Sequence, residues 1–375
     1  MNFYQKVYHK IHGKVDSITP PITLKGHGKK KALLCYIKSP FRSGTSILHS
    51  NYLESIYISE VLNELGYIVD VVDYRYKGKI NYNRYELVFG FGIPYRNSFF
   101  KPKNTTKRIS YMTGANPNFS NHAESARIKN FSKRNGKILN PKREVYWPWV
   151  FSTVNSNALI VVGNSWTIQT YADYNDTIHN VPVPFVCKPQ LKELSNNAVK
   201  NFVWFAGPGA IHKGLDLAIE AICSVSEPVN LHVCGFLKDI QEIMGVYKNH
   251  PKLGERINII GMVNPNSDEM DELCANNAFV LFPSCSEGTA SSVITCMAKG
   301  LIPIVTKESG VNLNDFGIEI ESGTVDAVKD AIETALKLPI REIKRQRNLV
   351  QQFVVNNHSV DAYKYHLKYA LEKVI

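Results

Sequence analysis

The feature that most limits the fold is one pattern that runs twice along the chain. From Lys30 onward short apolar runs alternate with helical periodicities, pause at a proline-rich stretch, and then begin again. Such alternation marks parallel α/β units, in which each strand is followed by a helix that returns the chain for the next strand. In the first series ALLCYI (32–37), YIVDVVDY (67–74), YELVFGFG (85–92), RISYMTG (108–114) and ALIVVGN (158–164) read as strands. Leu53, Tyr57, Val61 and Leu65 recur at i+4 and predict an amphipathic helix stopped at Gly66. The stretch from Asn116 to Trp149 is polar and basic, with a helix expected around Ala123–Lys133.

VPVPFVCKPQLKELSNN (181–197) carries three prolines and then a polar run, and reads as a linker. Beyond it the second series gives strands at NFVWFAG (201–207), NLHVCG (230–235), INIIGMV (257–263), AFVLFP (278–283) and LIPIVT (301–306). Helices are expected at GLDLAIEAI (214–222), around Asp239–Met244, around Met270–Cys274 and at TASSVITCMAKG (289–300). A last amphipathic stripe runs through Tyr363, Leu367, Leu371 and Val374. The 375 residues exceed one ordinary core and suit two. The expected organisation is therefore α/β: two Rossmann-like domains facing a central cleft, over 1–190 and 191–358, with a helix at 359–375 packing back toward the first.

Charge is unevenly placed. Through Cys187 there are 25 Lys and Arg against 11 Asp and Glu, a balance of +14, whereas the remainder has 19 against 22, or −3. Two readings are open for the basic half: a solvated surface, or a face that meets anionic lipid headgroups or a diphosphate-bearing acceptor. No recognisable nucleic-acid signature accompanies the charge, so no nucleic-acid partner is expected. The chain has no run of about 18 apolar residues and no apolar core in its basic N-terminus, so neither a membrane span nor a secretory signal is expected. Seven cysteines, scattered without C-x-x-C, fit a reducing, cytoplasmic setting, with peripheral association at the inner face of the plasma membrane as the sharper expectation.

In open parallel sheets ligands sit at the C-terminal ends of strands, where loops start the following helices. Two such loops in the second half are unusual. GPGAIHKG (207–214) places Gly207 and Gly209 where backbone can approach a ligand, and Lys213 near a helix start that favours anions. Leu215 stands where a P-loop needs lysine, so the loop is either an anion site of another kind or a tight turn with a solvated lysine. PSCSEGTASSVITCMAKGLIPIVT (283–306) sets Glu287 beside the amides of Gly288, Thr289 and Ala290, which are positioned to hold a diphosphate. A carboxylate there repels bare phosphate but accepts hydrogen bonds from an attached sugar, which points to a phospho-sugar ligand. Its alternative role is that of an N-terminal helix cap or dipole partner.

The ordered set FAGPGAIHKGLDLAIEA, LHVCG, INIIGMV and FPSCSEGTASSVITCMAKGLIPIVT resembles the family 4-like (group 1) retaining glycosyltransferases of the GT-B fold, of a bacterial surface-polysaccharide type. It covers about 110 residues of the second half, while YMTGANPNFSNHAESARI resembles a segment of some members. The resemblance implies that Lys213 neutralises a donor diphosphate, that Glu287 contacts the transferred sugar, and that the amides of Gly288 to Ala290 hold the phosphates. It also implies that Met262 and Val263 lie against the base. Two positions depart from the pattern: Thr295 replaces the second acid of E-x7-E, which binds ribose, and Pro208 replaces an arginine that accompanies the lysine. Arg42, in the loop SPFRSGTSILHSN (39–51) with Gly44 and His49, is one candidate to supply the missing cation. That loop is expected to reach donor phosphates or acceptor, although His49 reads equally well as a helix-start residue with local bonds. Asn116 lies near the place of a histidine that supports the transition state; it can donate a hydrogen bond but not relay a proton.

D-x-D, H-E-x-x-H and G-x-S-x-G are absent, and H-x-E at His122–Glu124 lacks the P-C-x-x-C of zinc deaminases, so no metal or cofactor is expected. The expected activity is transfer of a hexose from a UDP- or GDP-linked sugar to a hydroxyl of a glycan or lipid-linked glycan, with retention. The alternatives are a catalytically silent scaffold subunit, motivated by Pro208 and Thr295, and a nucleotide-sugar epimerase, which would need acid/base residues that the sequence does not show.

Overall fold

The computed structural model describes residues 15–43, 50–100, 105–146, 148–195 and 197–375. Contacts divide the chain into two compact units: residues 1–113, 147–184 and 360–375 form the first, and 114–146 with 185–359 form the second. The division interlaces the chain. Residues 114–146, placed by sequence in the 1–190 domain, make their contacts with the second unit.

The first unit is built on seven strands, β1 (Ile22–Thr23), β2 (Lys30–Tyr36), β3 (Tyr67–Asp73), β4 (Leu87–Gly90), β5 (Lys107–Met112), β6 (Ala158–Val162) and β7 (Ile178–Val181). Their order is β1-β3-β2-β4-β5-β6-β7. All pairings are parallel except β1 with β3, a two-residue antiparallel edge that the sequence pattern did not show. Residues 32–36 of β2 and all of β6 are buried, as strands covered on both faces must be. The helix α1 (Ser50–Glu64) packs on β3, and its buried positions include Leu53, Ile58, Val61 and Leu62. The C-terminal helix (Val360–Val374) lies against α1, β6 and β7. There Tyr363 is buried, and its hydroxyl meets that of Tyr111 at 3.0 Å.

Six parallel strands carry the second unit: β8 (Asn201–Phe205), β9 (Asn230–Cys234), β10 (Ile257–Gly261), β11 (Phe279–Phe282), β12 (Ile302–Thr306) and β13 (Ile318–Ile320). The order β10-β9-β8-β11-β12-β13 puts β8 and β11 side by side at the centre. The loops that leave these two strands are the two singled out by sequence. Three further helices concern the site: α2 (Pro117–Asn135), α3 (Leu215–Ser224) and α4 (Ser291–Ala298).

Helix α2 is more hydrophilic than a core helix should be, and it is held by charge. Arg134 Nη2 lies 2.6 Å from Asp216 Oδ2 and its Nε 2.9 Å from Glu220. Arg127 donates to the Pro283 carbonyl at 3.1 Å and approaches Asp216 at 3.8 Å. Asp216 is fully buried, so these guanidinium groups offset a desolvation cost that would otherwise exclude it from α3. Among the described residues no helix is long and apolar enough to cross a membrane. All seven cysteines are unpaired, and all but Cys285 are buried.

Candidate functional site

Lys213 and Glu287 meet directly. The Lys213 ammonium donates to Glu287 Oε1, although the residues stand 74 positions apart in sequence. Both side chains are about nine-tenths buried. The loop after β8 presents the lysine by a tight path: its amide donates to Gly209 O at 3.0 Å, and its carbonyl accepts from the fully buried Trp204 indole at 3.1 Å. Its ammonium also sits 5.3 Å from the centre of the Phe282 ring. Gly214 starts α3 at φ 73, and a Cβ there would come within 2.2 Å of the Pro283 carbonyl. Only glycine lets the two loops pack this closely.

The loop after β11 is fixed from several sides. Glu287 N donates to Glu308 O at 2.8 Å, Cys285 N to His212 O at 3.0 Å, and Thr306 Oγ1 to Ser284 O at 2.6 Å. Ala115 N donates to Glu287 O at 3.2 Å, so the start of α2 is stitched to the same loop. The neighbouring Asn116 is buried and caps α2, its Oδ1 accepting from Asn118 N at 2.8 Å. Asn116, Lys213 and Glu287 therefore lie in one neighbourhood of the second unit, whereas the sequence pattern assigns Asn116 to the 1–190 domain.

Burial works against an ionised Glu287, but the charges of Lys213 and Arg143 outweigh it and hold the carboxylate at about 2. His212 is buried too. Its Nε2 donates to the Ser286 carbonyl, which leaves Nδ1 unprotonated, without a hydrogen bond and 3.9 Å from Glu124. Burial holds this imidazole neutral, down at about 4. The site therefore has a carboxylate that stays ionised and a histidine that stays neutral at physiological pH. Such a pair suits accepting hydrogen bonds from hydroxyls better than relaying protons.

Other expected residues are placed as follows. Gly207 is exposed at the end of β8, and Gly209 donates its amide to Asp239 at 2.8 Å. Met262 is half exposed just after β10, whereas Val263 is buried. Helix α4 begins at Ser291, one residue beyond the expected amides, with no side-chain cap. The amide of Ala290 is already engaged by Ser309 O at 2.9 Å, which corrects its expected availability to a phosphate. Thr289 N, Ser291 N and Ser292 N make no hydrogen bond among the described residues, and orphan amides of this kind are the anion-binding groups of a helix start. Thr295 is buried and its hydroxyl donates to Ser291 O at 2.8 Å, a bond within its own helix. In the first unit Arg42 pairs with Asp16 at 3.1 Å and lies 3.3 Å from Thr19 Oγ1. Gly44 and His49 lie outside the described residues.

Sequence reasoning missed Arg143, Glu124 and His212. Glu124 and Arg143 have no local pattern that separates them from the stretch around them, since their role comes from the packing of 114–146 within the second unit, whereas His212 sits beside Lys213 in the loop already singled out. No cluster of His, Cys, Asp or Glu suited to a metal occurs among the described residues.

Residues 200–337 match the family model described as Glycosyl transferases group 1. Sucrose-phosphate synthase from Thermosynechococcus elongatus superposes with a TM-score of 0.62 at 11% identity, covering 92% of this chain and 99% of that one. Anabaena HepE, solved in complex with UDP-glucose, gives 0.57 at 12% identity, covering 91% and 99%. A TarM mutant from S. aureus, solved with fondaparinux, α-GlcNAc-glycerol and UDP, gives 0.53 at 13% identity, covering 76% of this chain and 55% of TarM. The chain thus spans about half the length of TarM. No curated protein matches the sequence. Two parallel sheets, each in its own α/β unit, together with these neighbours define the fold as GT-B, and the matched segment contains both loops of the site.

Proposed function

We propose that this chain is a glycosyltransferase that moves a hexose from a nucleoside diphosphate sugar, UDP- or GDP-linked, to a hydroxyl of a glycan or lipid-linked glycan. The observation that carries the reading is the Lys213–Glu287 pair, set where the loops of two adjacent central strands open. A cation and an ionised carboxylate side by side match the two halves of a phospho-sugar. Lys213 meets the negative charge that grows on the departing diphosphate, and the uncapped amides at Thr289, Ser291 and Ser292 add fixed dipoles aimed at it. Glu287 accepts hydrogen bonds from the sugar hydroxyls and holds the anomeric carbon in place. In this reading no metal is needed, and the configuration at that carbon is retained.

HepE was solved with UDP-glucose and TarM with UDP and a GlcNAc-glycerol, which supports a nucleotide sugar as donor. The product belongs to polysaccharide assembly at the cytoplasmic face of an anionic membrane, which the basic balance of residues 1–187 suits. One observation favours the silent-scaffold alternative: Thr295, at the expected ribose position, spends its hydroxyl inside α4. A thermal-shift screen against UDP, GDP, ADP and their hexoses, followed by transfer assays on glycan and lipid-linked acceptors, decides between the two. Stabilisation by one nucleotide series with turnover of its sugar supports the enzyme. Stabilisation without turnover or donor hydrolysis on any donor supports the scaffold.

A further inference from the structure

The Lys213–Glu287 pair leaves a charge problem. A nucleoside diphosphate carries more than one negative charge, yet Glu287 cancels Lys213, and Asp239 sits at the same loop through its bond to Gly209 N. Pro208 offers no cation. A second positive group is needed, and one is present from an unexpected part of the chain.

Arg143 lies over the loop after β8. Its Cγ and Cδ come within 2.9 and 3.0 Å of where a Cβ on Gly209 would stand, so glycine at 209 makes room for this side chain. Its charge is felt at Glu287, Lys213 and His212 alike. The other arginines of the segment are spent: Arg127 on Pro283 and Asp216, Arg134 on Asp216 and Glu220. The guanidinium of Arg143 makes no hydrogen bond or ion pair among the described residues, and the residue is exposed. Its backbone, in contrast, is held firmly. Glu124, 1% exposed on α2, accepts from Lys142 N at 2.9 Å and from Arg143 N at 3.1 Å. One turn away Asn121 accepts from Val145 N at 2.9 Å and donates to Val145 O at 3.0 Å. A buried carboxylate and an amide on one face of α2 thus clamp a short segment whose one unengaged cation points its charge at the site. An exposed arginine with a fixed backbone and a loose fork suits bidentate capture of a phosphate.

We propose, building on the glycosyltransferase reading, that Arg143 is the second cation of the donor-diphosphate site, supplied by the 142–145 segment in place of an arginine at 208 and positioned by Glu124 and Asn121. The test is calorimetric titration of UDP and of uridine, with GDP and guanosine as the second pair, into the parent, Arg143→Ala and Arg143→Lys. Arg143→Ala should weaken the diphosphate about tenfold or more while leaving the nucleoside unchanged. Arg143→Lys should recover part of the loss, and the affinity of Arg143→Ala should depend less on salt than that of the parent. Diphosphate affinity equal to the parent's, or an equal loss for diphosphate and nucleoside, overturns the proposal and leaves the glycosyltransferase reading standing. A parent that binds neither UDP nor GDP sinks the UDP- or GDP-linked reading and this proposal with it.

Discussion

The two units each bury a glutamate, and they treat it in opposite ways. In the first, Glu54 of α1 accepts from the hydroxyls of Tyr36 at 2.9 Å and Tyr111 at 3.0 Å, and Tyr111 passes the chain of bonds on to Tyr363. All of its partners are neutral, and burial pushes its carboxyl above the ordinary range. In the second, Glu287 faces Lys213 and feels Arg143, and those charges hold it at about 2 against the pull of burial. The first arrangement is closed: two rigid aromatics and the Ser50 hydroxyl surround the carboxyl, and the network ties the C-terminal helix to β2, β5 and α1. The second is held by one long flexible lysine, which in the proposed function passes from the carboxylate to the donor diphosphate. Glu54 thus stays a clamp among neutral partners, whereas the cations around Glu287 keep it ionised, as the proposed hydrogen-bond acceptor for the sugar must be.

This contrast can be broken in steps. The largest expected effect on stability is in the second unit, where charges satisfy charges. Asp216→Ala removes the counter-charge of the buried Arg127 and of Arg134, and urea unfolding should show a loss of about 3 kcal/mol. A loss below about 0.5 kcal/mol, the range of an ordinary surface change, would mean that α2 is held by something else. Glu54→Leu probes the first unit, where it strands the buried Tyr36 and Tyr111 hydroxyls. A loss of about 1–3 kcal/mol is expected by the same measurement, and Glu54→Gln, which keeps an acceptor, should recover most of it. Equal losses for Leu and Gln would show that the hydroxyl network is incidental.

Acid titration sharpens the contrast by sign. His212 stays neutral in the folded state down to about 4 while the unfolded chain takes a proton near its ordinary value of 6.5, so stability is lost as pH falls across that window. Glu287, ordinarily near 4.5 and held at about 2, adds a further loss as pH falls from the first value through the second. Glu54 acts the other way: its pKa is raised, so its penalty is absent in acid and appears as pH rises past its ordinary value. Glu287→Gln should flatten the acid limb below pH 4.5, whereas Glu54→Gln should steepen the loss of stability with falling pH only above that value. Identical acid limbs for the two variants would erase the distinction between the units.

Much of the fold was legible because fully buried strands leave unbroken apolar runs: ALLCYI, NFVWFAG and AFVLFP became β2, β8 and β11 almost residue for residue. The strands that escaped notice are short or half exposed. Ile22–Thr23 has two residues, Ile178–Val181 carries a histidine and an asparagine, and Ile318–Ile320 encloses a glutamate. Helix Ile340–Asn357 was hidden by its basic and amide residues, although Ile343, Val350 and Val354 line its buried side. Lys213 and Glu287 could be found because strand ends locate them. Ala290 was misjudged because a strand-to-helix corner does not reveal that the loop before Gly310 takes its amide. Glu124, Arg127 and Arg143 meet His212, Asp216, Pro283 and Gly209, all far onward in the chain, and no local period records such a return.

The central claim, a cation for the diphosphate beside a carboxylate for the sugar, is tested most directly by separating binding from transfer in two variants. For the parent, Lys213→Ala and Glu287→Ala, affinity for the nucleoside diphosphate is measured by calorimetry and sugar transfer in a single turnover. Lys213→Ala should weaken the diphosphate by about 1.5–3 kcal/mol, the worth of a charged hydrogen bond. Glu287→Ala should bind it as well as the parent or better, since Lys213 is released from its partner, while transfer falls about a hundredfold or more. Parent-like binding of every nucleoside diphosphate by both variants, with transfer undiminished in Glu287→Ala or absent from the parent on all donors, would contradict the account.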